Sequence, residues 1–326
     1  MAILAACGLI RGTSTPETAA VTVTDQGGRE VTVPGDVKRL VSGYYISSSA
    51  CLALGLKDLI VGIEAYADTR PIYKLVAPEF LELPVVGTST EFDLERCLAL
   101  EPDLVIIPLR LKDRAAPLQE AGIPVLLVNP ENQNSLKEMV ALIGKACKAE
   151  RRAEALNNYL DAELAGVEKL VAGASATAVV YMAGKGSYLM AAPRDMYQAS
   201  MIRMAGGKNA TDGIAGDFWT AVSYEQLLAM DPEVIVIPSY AAYSAADILA
   251  DRALRQLSAV RNKKIYKMPV GFEGWDAPVP SCILGVKWLL AALHGDVYGM
   301  EDLRRDTAAF YREFYGIENI DAAFTD

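Results

Sequence analysis

One histidine in 326 residues excludes more than any single motif could. Metal centres built on imidazole need two or three such ligands. A nucleophile paired with histidine would have to use His294, which precedes a Gly where "WLLAALHG" looks like a helix end and where a capping role is the ordinary one. Cysteine is scarce and scattered. Cys51, Cys97, Cys147 and Cys282 stand singly among apolar residues, and no CxxC spacing supports a zinc cluster or a disulfide framework. Positive charge is also short. The 31 Lys and Arg against 41 Asp and Glu leave a net charge of −10 with no basic run, which argues against a nucleic-acid partner. No apolar run reaches the roughly 20 residues of a membrane-spanning helix. GxSxG, HExxH and GxxxxGK[ST] are absent, and "GKGS" at Gly184 to Ser187 is too short for a phosphate loop. No catalytic residue, metal ligand or cofactor is therefore assigned, and the chain is not expected to be an enzyme.

What is present is ordinary globular composition, 52% hydrophobic and 22% charged, in a chain too long for one compact core, so two lobes are expected. Two stretches repeat each other. "FDLERCLALEPDLVIIP" (Phe92–Pro108) and "VSYEQLLAMDPEVIVIP" (Val222–Pro238) match at the Glu95/Glu225, Leu98/Leu228, Ala99/Ala229, Pro102/Pro232, Ile107/Ile237 and Pro108/Pro238 pairs. Each reads as a helix–turn–strand unit. Asp93 and Ser223 suit the N-cap, which puts Glu95 and Glu225 in the first turn, where a carboxylate favours the positive helix end and stays near the surface.

Around the first copy, "RLVSG", "LIVGIEAY", "LPVVGTS", "DLVIIPL" and "PVLLVNP" alternate with helical segments such as "SSSACLALGL" and "RAAPLQEAG". Short β-branched runs bounded by Gly and Pro and alternating with helices predict βα units on a parallel sheet. This first lobe is assigned residues 21–148. From about Ser135 to Val171 the chain reads as helical throughout, and residues 149–172 form a connecting helix with apolar residues at helical spacing. At ~1.5 Å per residue that segment spans roughly 35 Å, enough to run between lobes. The βα pattern restarts over 173–326 with "ATAVVYMAGKGSYLMA", the second repeat unit and "KKIYKMPV". It closes with "SCILGVKWLLAALH" and "LRRDTAAFYREFYG". The expected fold class is α/β: two Rossmann-like lobes with central parallel sheets, joined by one long rigid helix, with a ligand cleft between them.

Residues 1–20 read differently. "LAACG" (Leu4–Gly8) matches the lipobox, in which a signal peptidase cuts before the cysteine and lipid is attached to it, here Cys7. The basic start and most of the apolar core of a signal peptide are missing, as in a truncated leader. "RGTSTPETAA" follows as a polar tether.

"VTDQGGREVTVPGDVKRLVS", "LALGLKDLIVGIEAYAD" and the paired "DLE…EPDLVII" and "VSYEQLL…DPEVIVI" together resemble the helix-hinged periplasmic binding proteins of ABC importers. That family carries iron–siderophore complexes, haem, cobalamin and, in a few members, molybdate or tungstate. The resemblance covers nearly all of the chain after Ala20. It implies that Glu95 and Glu225, one per lobe, dock on arginine clusters of a membrane permease dimer that works with its ATPase. It also implies an extracytoplasmic monomer, periplasmic or held at the outer membrane face by a lipid on Cys7. Long-range charge attraction suits such fast, reversible docking.

Ligands of two-lobed α/β proteins sit against the carboxyl ends of the strands. The loops there offer Tyr44, Tyr45, Ser47, Tyr66, Arg70, Thr88, Ser89 and Arg110 in the first lobe. The second lobe offers Lys185, Tyr188, Phe218, Trp219, Tyr240, Tyr243, Phe272, Glu273 and Trp275. Aromatics are only 8% of the chain, yet nearly every one of these loops holds one. Rigid rings suit a large, partly planar ligand, and Arg70, Arg110 and Lys185 suit carboxylates, hydroxamates or an oxyanion. Tyr44 or Tyr45 is also a possible ligand of ferric haem iron. Glu273 and Asp276, on a loop with Gly274 and Trp275, are read as shaping the cleft. By the resemblance, Tyr66 and Trp219 align with cleft aromatics of cobalamin-binding relatives, whereas Thr88 to Thr90 and Leu109 replace tryptophans found there. The expected cargo is an iron complex or related metal chelate. The alternatives are an oxyanion, a sensing module feeding a receptor, or an enzyme on a similar fold.

Overall fold

A computed structural model describes residues 19–174, 178–216 and 218–325; Cys7 lies outside the described residues. The first lobe is built on four parallel strands in the spatial order Ile60–Ile63, Leu40–Ser42, Leu104–Pro108, Val125–Val128. The second has Ile265–Lys267, Val234–Ile237, Val179–Met182, Lys208–Asn209, again all parallel. Counted along the chain within its lobe, each sheet runs second, first, third, fourth. The lobes therefore share one topology, and the repeated unit supplies the third strand of each. Leu104–Pro108 and Val234–Ile237 are buried at every position, as strands covered by helices on both faces must be.

The repeat extends to backbone detail. The Asp93 carboxylate accepts from the Arg96 amide at 2.9 Å, and Ser223 Oγ accepts from the Gln226 amide at 3.2 Å. Each short helix, Leu94–Ala99 or Tyr224–Met230, is followed by a left-handed acidic residue, Glu101 (φ 44°) or Asp231 (φ 36°). A left-handed residue ends a helix by turning the chain out of its path, here toward the strand beyond Pro102 or Pro232.

The uninterrupted helix expected from Ser135 to Val171 is two helices, Gln133–Ala146 and Glu150–Ala172. Lys148 breaks them with φ 56°, and Gly144 lets them fold closely together, since a Cβ there would lie 2.5 Å from the Ala153 Cβ. The 23-residue second helix is the connector, burying Ala153, Leu156, Leu160 and Val167. "LPVVGTS" makes only isolated bridges, Ile63 to Val85 and Gly87 to Phe92. Its chain is turned back by Thr88, whose hydroxyl accepts from the Thr90 and Glu91 amides. "ATAVVYMAGKGSYLMA" likewise divides, and its second part, Met190–Ala191, pairs antiparallel with Thr220–Ala221.

One buried apolar cluster runs through both lobes and the closing helices Cys282–Leu293 and Met300–Tyr315. Polar ties reinforce it. Arg152, at the start of the connector, donates to the Ala53 carbonyl at 2.5 Å and the Phe314 carbonyl at 2.7 Å. Buried Lys287 pairs with Glu163 of the connector and Asp306 of the last helix. The Ile72 amide donates to the Phe272 carbonyl at 2.9 Å, and Ser49 Oγ donates to Glu273, both between lobes. Among the described residues no helix is long and apolar enough to cross a membrane.

Candidate functional site

Both sheets send the loops at their strand ends into the space between the lobes. In the first lobe Ser42 leads to Tyr44 and Tyr45, Ile63 to Glu64 and Tyr66, Pro108 to Arg110, and Val128 to Glu131. In the second, Met182 leads to Lys185, Ile237 to Tyr240, and Lys267 to the segment Phe272–Asp276.

Three aromatic rings among the expected site residues are open to solvent: Tyr66 at 67%, Phe218 at 66% and Tyr240 at 41%. They are the exposed large aromatics among the described residues. Tyr66 and Tyr240, one from each lobe, also carry left-handed backbones, φ 66° and φ 61°. A bulky residue is uncommon at positive φ, and such strain concentrates where a site needs a side chain aimed in a particular way.

Cations alternate with the rings, and each has a carboxylate partner. The Arg70 guanidinium lies 4.2 Å from the Tyr45 ring centre, and its Nε is 3.3 Å from Glu64. Arg110 is 3.6 Å from Glu131. Lys185 Nζ is 3.5 Å from Asp276 and 5.7 Å from the centre of the Tyr240 ring. Stacking a guanidinium or ammonium on an aromatic face holds the charge in place without removing it. Glu64 is buried and accepts from Ser48 Oγ and the Tyr73 hydroxyl; burial outweighs these donors and raises its carboxyl above the ordinary value. Glu273 behaves alike: burial raises it despite donors from Ser281, Ser49 and Tyr315. Between the lobes, Tyr45, Arg70, Tyr240 and Glu273 line a pocket of about 20 Å³. Beside it, a groove of about 570 Å³ runs between Glu131 and Asn132 of the first lobe and Arg194, Met196 and Asp212 of the second.

Several expected site residues lie elsewhere. Trp275 is wholly buried: its Nε1 donates to the Tyr311 hydroxyl at 3.0 Å and its ring meets Phe324 edge-on, so it is a core residue rather than a cleft anchor. Ser47 is buried in the first turn of the helix Tyr45–Ala53, bonded to the Tyr44 carbonyl at 2.7 Å and to Ser42 Oγ, and does not reach the cleft. Phe272 is in the core. Tyr44 is buried edge-on against Tyr45 at 5.3 Å, and burial pushes its hydroxyl far above the ordinary value. Tyr188 and Tyr243 meet edge-on, with hydroxyls held by Asp251 and the Gly184 carbonyl. Thr88 is half-buried, with its hydroxyl held in a turn, and Trp219 is half-buried at the margin of the core. Glu64 and Glu131 were passed over in the sequence although each stands one to three residues beyond a strand end.

Glu95 and Glu225 are exposed at matched positions on the two lobes. Hydrogen bonds from its own backbone amide and from Ser223 hold the Glu225 carboxyl below its ordinary value. Among the described residues no group of three or more His, Cys, Asp and Glu is placed to hold a metal ion.

A family model described as periplasmic binding protein matches residues 40–270. The chain is 25% identical to the molybdate-binding protein MolA of Haemophilus influenzae, with 96% of this chain and 95% of that protein covered. It is 28% identical to the vitamin B12-binding protein of Salmonella typhimurium over 72% of this chain and 82% of the relative. A periplasmic solute binding protein from Veillonella parvula has the same fold, with TM-score 0.81 at 25% identity, covering 94% of this chain and 97% of that one. The structure of MolA bound to molybdate gives TM-score 0.82 at 23% identity, covering 92% and 99%.

Proposed function

The chain belongs to the periplasmic binding protein family of ABC transporters, and from that premise we propose that its cleft captures a bulky anionic metal chelate for import. A ferric siderophore is the preferred cargo, with haem or a corrinoid in the same class. The observation that carries this is the pair of exposed, left-handed tyrosines at strand-end loops of opposite lobes, Tyr66 and Tyr240, of which Tyr240 lines the interlobe pocket. Two exposed, strained rings, one on each lobe, favour a ligand with flat area on two sides. Arg70, Arg110 and Lys185 would meet its negative charge by exchanging their present carboxylate partners for the ligand. The protein is a binding component with no chemistry of its own. Glu95 and Glu225 dock it on the permease, and a lipid on Cys7 tethers it outside the cell.

A second reading, a molybdate or tungstate carrier, is favoured by the likeness to MolA over nearly the whole of both chains. The two readings ask different things of the cleft. An oxyanion is held by convergent donors and one or two cations, and rings around it add little. A chelate buries several faces on rings. Calorimetric titration with ferric siderophores, haem, a corrinoid, molybdate and tungstate separates them. Under the chelate reading, Tyr66→Ala or Tyr240→Ala loses roughly tenfold to a hundredfold in affinity, the usual loss for an aromatic anchor. Tight molybdate binding that ignores both tyrosines but vanishes with Arg110→Ala or Lys185→Ala overturns it.

A further inference from the structure

Buried polar side-chain atoms without a partner are rare in folded proteins and call for a reason. Among the described residues more than half of them gather at one place between the lobes. Asp276 is fully buried and neither carboxylate oxygen accepts a hydrogen bond; the Lys185 ammonium, 3.5 Å away, is its single ion-pair partner. Gln198, also buried, donates its Nε2 to the Asp276 carbonyl at 2.7 Å. Because only the amide nitrogen can donate to a carbonyl, that bond fixes the free atom as Oε1, an acceptor. The buried Tyr197 hydroxyl has no oxygen or nitrogen partner, and only the weakly accepting Cys282 sulfur lies beside it. Burial, the Cys282 thiol and the Asp276 carboxylate push it well above its ordinary value, so it stays protonated and able to donate. From the first lobe, Gln133 accepts the Cys282 S–H at 3.5 Å with Oε1, which leaves its Nε2 a free donor. Asn132 and Met196, the chain neighbours of Gln133 and Tyr197, line the 570 Å³ groove.

The cluster has three free acceptors, two on Asp276 and one on Gln198, and two free donors, on Gln133 and Tyr197. That pattern selects among ligand chemistries. A bare oxyanion offers acceptors only, and its charge is opposed by Asp276. A metal ion would need more carboxylate, thiolate or imidazole ligands than the described residues bring together. An uncharged group with two N–H donors and a carbonyl oxygen meets both free donors and two of the three free acceptors.

We propose that Asp276, Gln198, Tyr197 and Gln133 form a polar subsite on the cleft floor that takes a carboxamide of the captured ligand, its N–H groups on Asp276 and Gln198 and its oxygen on Tyr197 and Gln133. This rests on the cleft being the ligand site, and it narrows the cargo to an organic molecule bearing amide groups.

Acetamide and acetate are the probes, measured by ligand-observed saturation-transfer NMR on the full chain and on Asp276→Asn and Tyr197→Phe. Tyr197→Phe removes one unpaired hydroxyl and little packing, so it keeps the test open if the other variant folds poorly. Acetamide should bind with a dissociation constant of about millimolar, near what so small a ligand can reach. Acetate, opposed by Asp276, should bind at least tenfold more weakly. Asp276→Asn should weaken acetamide about tenfold, the loss of a hydrogen bond to a charged group, and Tyr197→Phe about fivefold. The absence of saturable acetamide binding, as expected if ordered water alone fills the floor, overturns the subsite. So does equal binding of acetate and acetamide, or unchanged acetamide affinity in both variants. The chelate titrations read the rings and cations instead, so either result can fail while the other stands.

Discussion

Trp275→Ala tests whether this ring belongs to the core or to the cleft. The indole is wholly buried, donates its one hydrogen bond to the Tyr311 hydroxyl at 3.0 Å and packs edge-on against Phe324. Helix Cys282–Leu293 presses on the same residue, since a Cβ on Gly285 would lie 2.2 Å from the Trp275 carbonyl oxygen. Truncating a buried aromatic to alanine costs about 3–5 kcal/mol. Leaving the Tyr311 hydroxyl without its donor adds to that, for a total of about 4 kcal/mol or more. Against a usual domain stability of about 5–15 kcal/mol, that is a large fraction. Urea unfolding followed by far-UV circular dichroism should show the midpoint falling, and Trp275→Phe, which keeps a ring but loses the donor, should lie between. Ligand affinity of the folded variant should stay near wild type. A variant within about 1 kcal/mol of wild type in stability that binds ligand tenfold more weakly would put the ring in the cleft and refute the argument.

Three further outcomes are expected. Glu95→Ala combined with Glu225→Ala should abolish uptake in cells while ligand affinity stays within about threefold of wild type, because both carboxylates are exposed and neither lines the interlobe pocket or groove; normal uptake by the double variant would remove the docking role. Fused to a complete signal peptide and expressed in a bacterium, the protein should fractionate with membranes and Cys7→Ser should release it, whereas identical fractionation of the two forms would end the lipid-anchor proposal. Burial holds the Glu273 proton to a higher pH in the folded state than in the unfolded chain, so its contribution is full below the ordinary value of 4.5 and is lost as pH rises through the raised one. Glu273→Gln should therefore gain stability on wild type as pH rises from 5 to 8 in denaturant titrations (roughly the span above the ordinary carboxyl range), and parallel curves would show that Glu273 is not the titrating group.

The architecture was legible because it rests on periodicity and repetition. A duplicated helix–turn–strand unit with matched caps can satisfy its backbone in few ways, and the two sheets share one strand order. The break at Lys148 was not legible. Its flanks are both helical in pattern, and the cause is the close approach of Gly144 and Ala153, a tertiary contact. Strand-end position pointed to Tyr45 and Tyr240, which line the interlobe pocket, and to Arg110 and Lys185, which pair with Glu131 and Asp276. It failed for Trp275 and Ser47, because a loop two to eight residues past a strand can turn a side chain either into the cleft or back under it. The last helix, through Tyr311, and the C-terminal turn, through Phe324, decide this for Trp275, and they lie far away in sequence. The acidic partners Glu64 and Glu131 were missed because a search for ligand-holding cations gives no weight to the carboxylates that hold those cations in place.

The central claim is that a bulky organic chelate occupies the cleft. Native mass spectrometry of the protein purified from its own host, with an absorption scan of the same sample, tests it most directly. A bound species of several hundred daltons or more, carrying a metal and the absorption of a ferric chelate, haem or corrin, is the predicted result. A bound mass equal to molybdate or tungstate, without absorption of that kind, would contradict it.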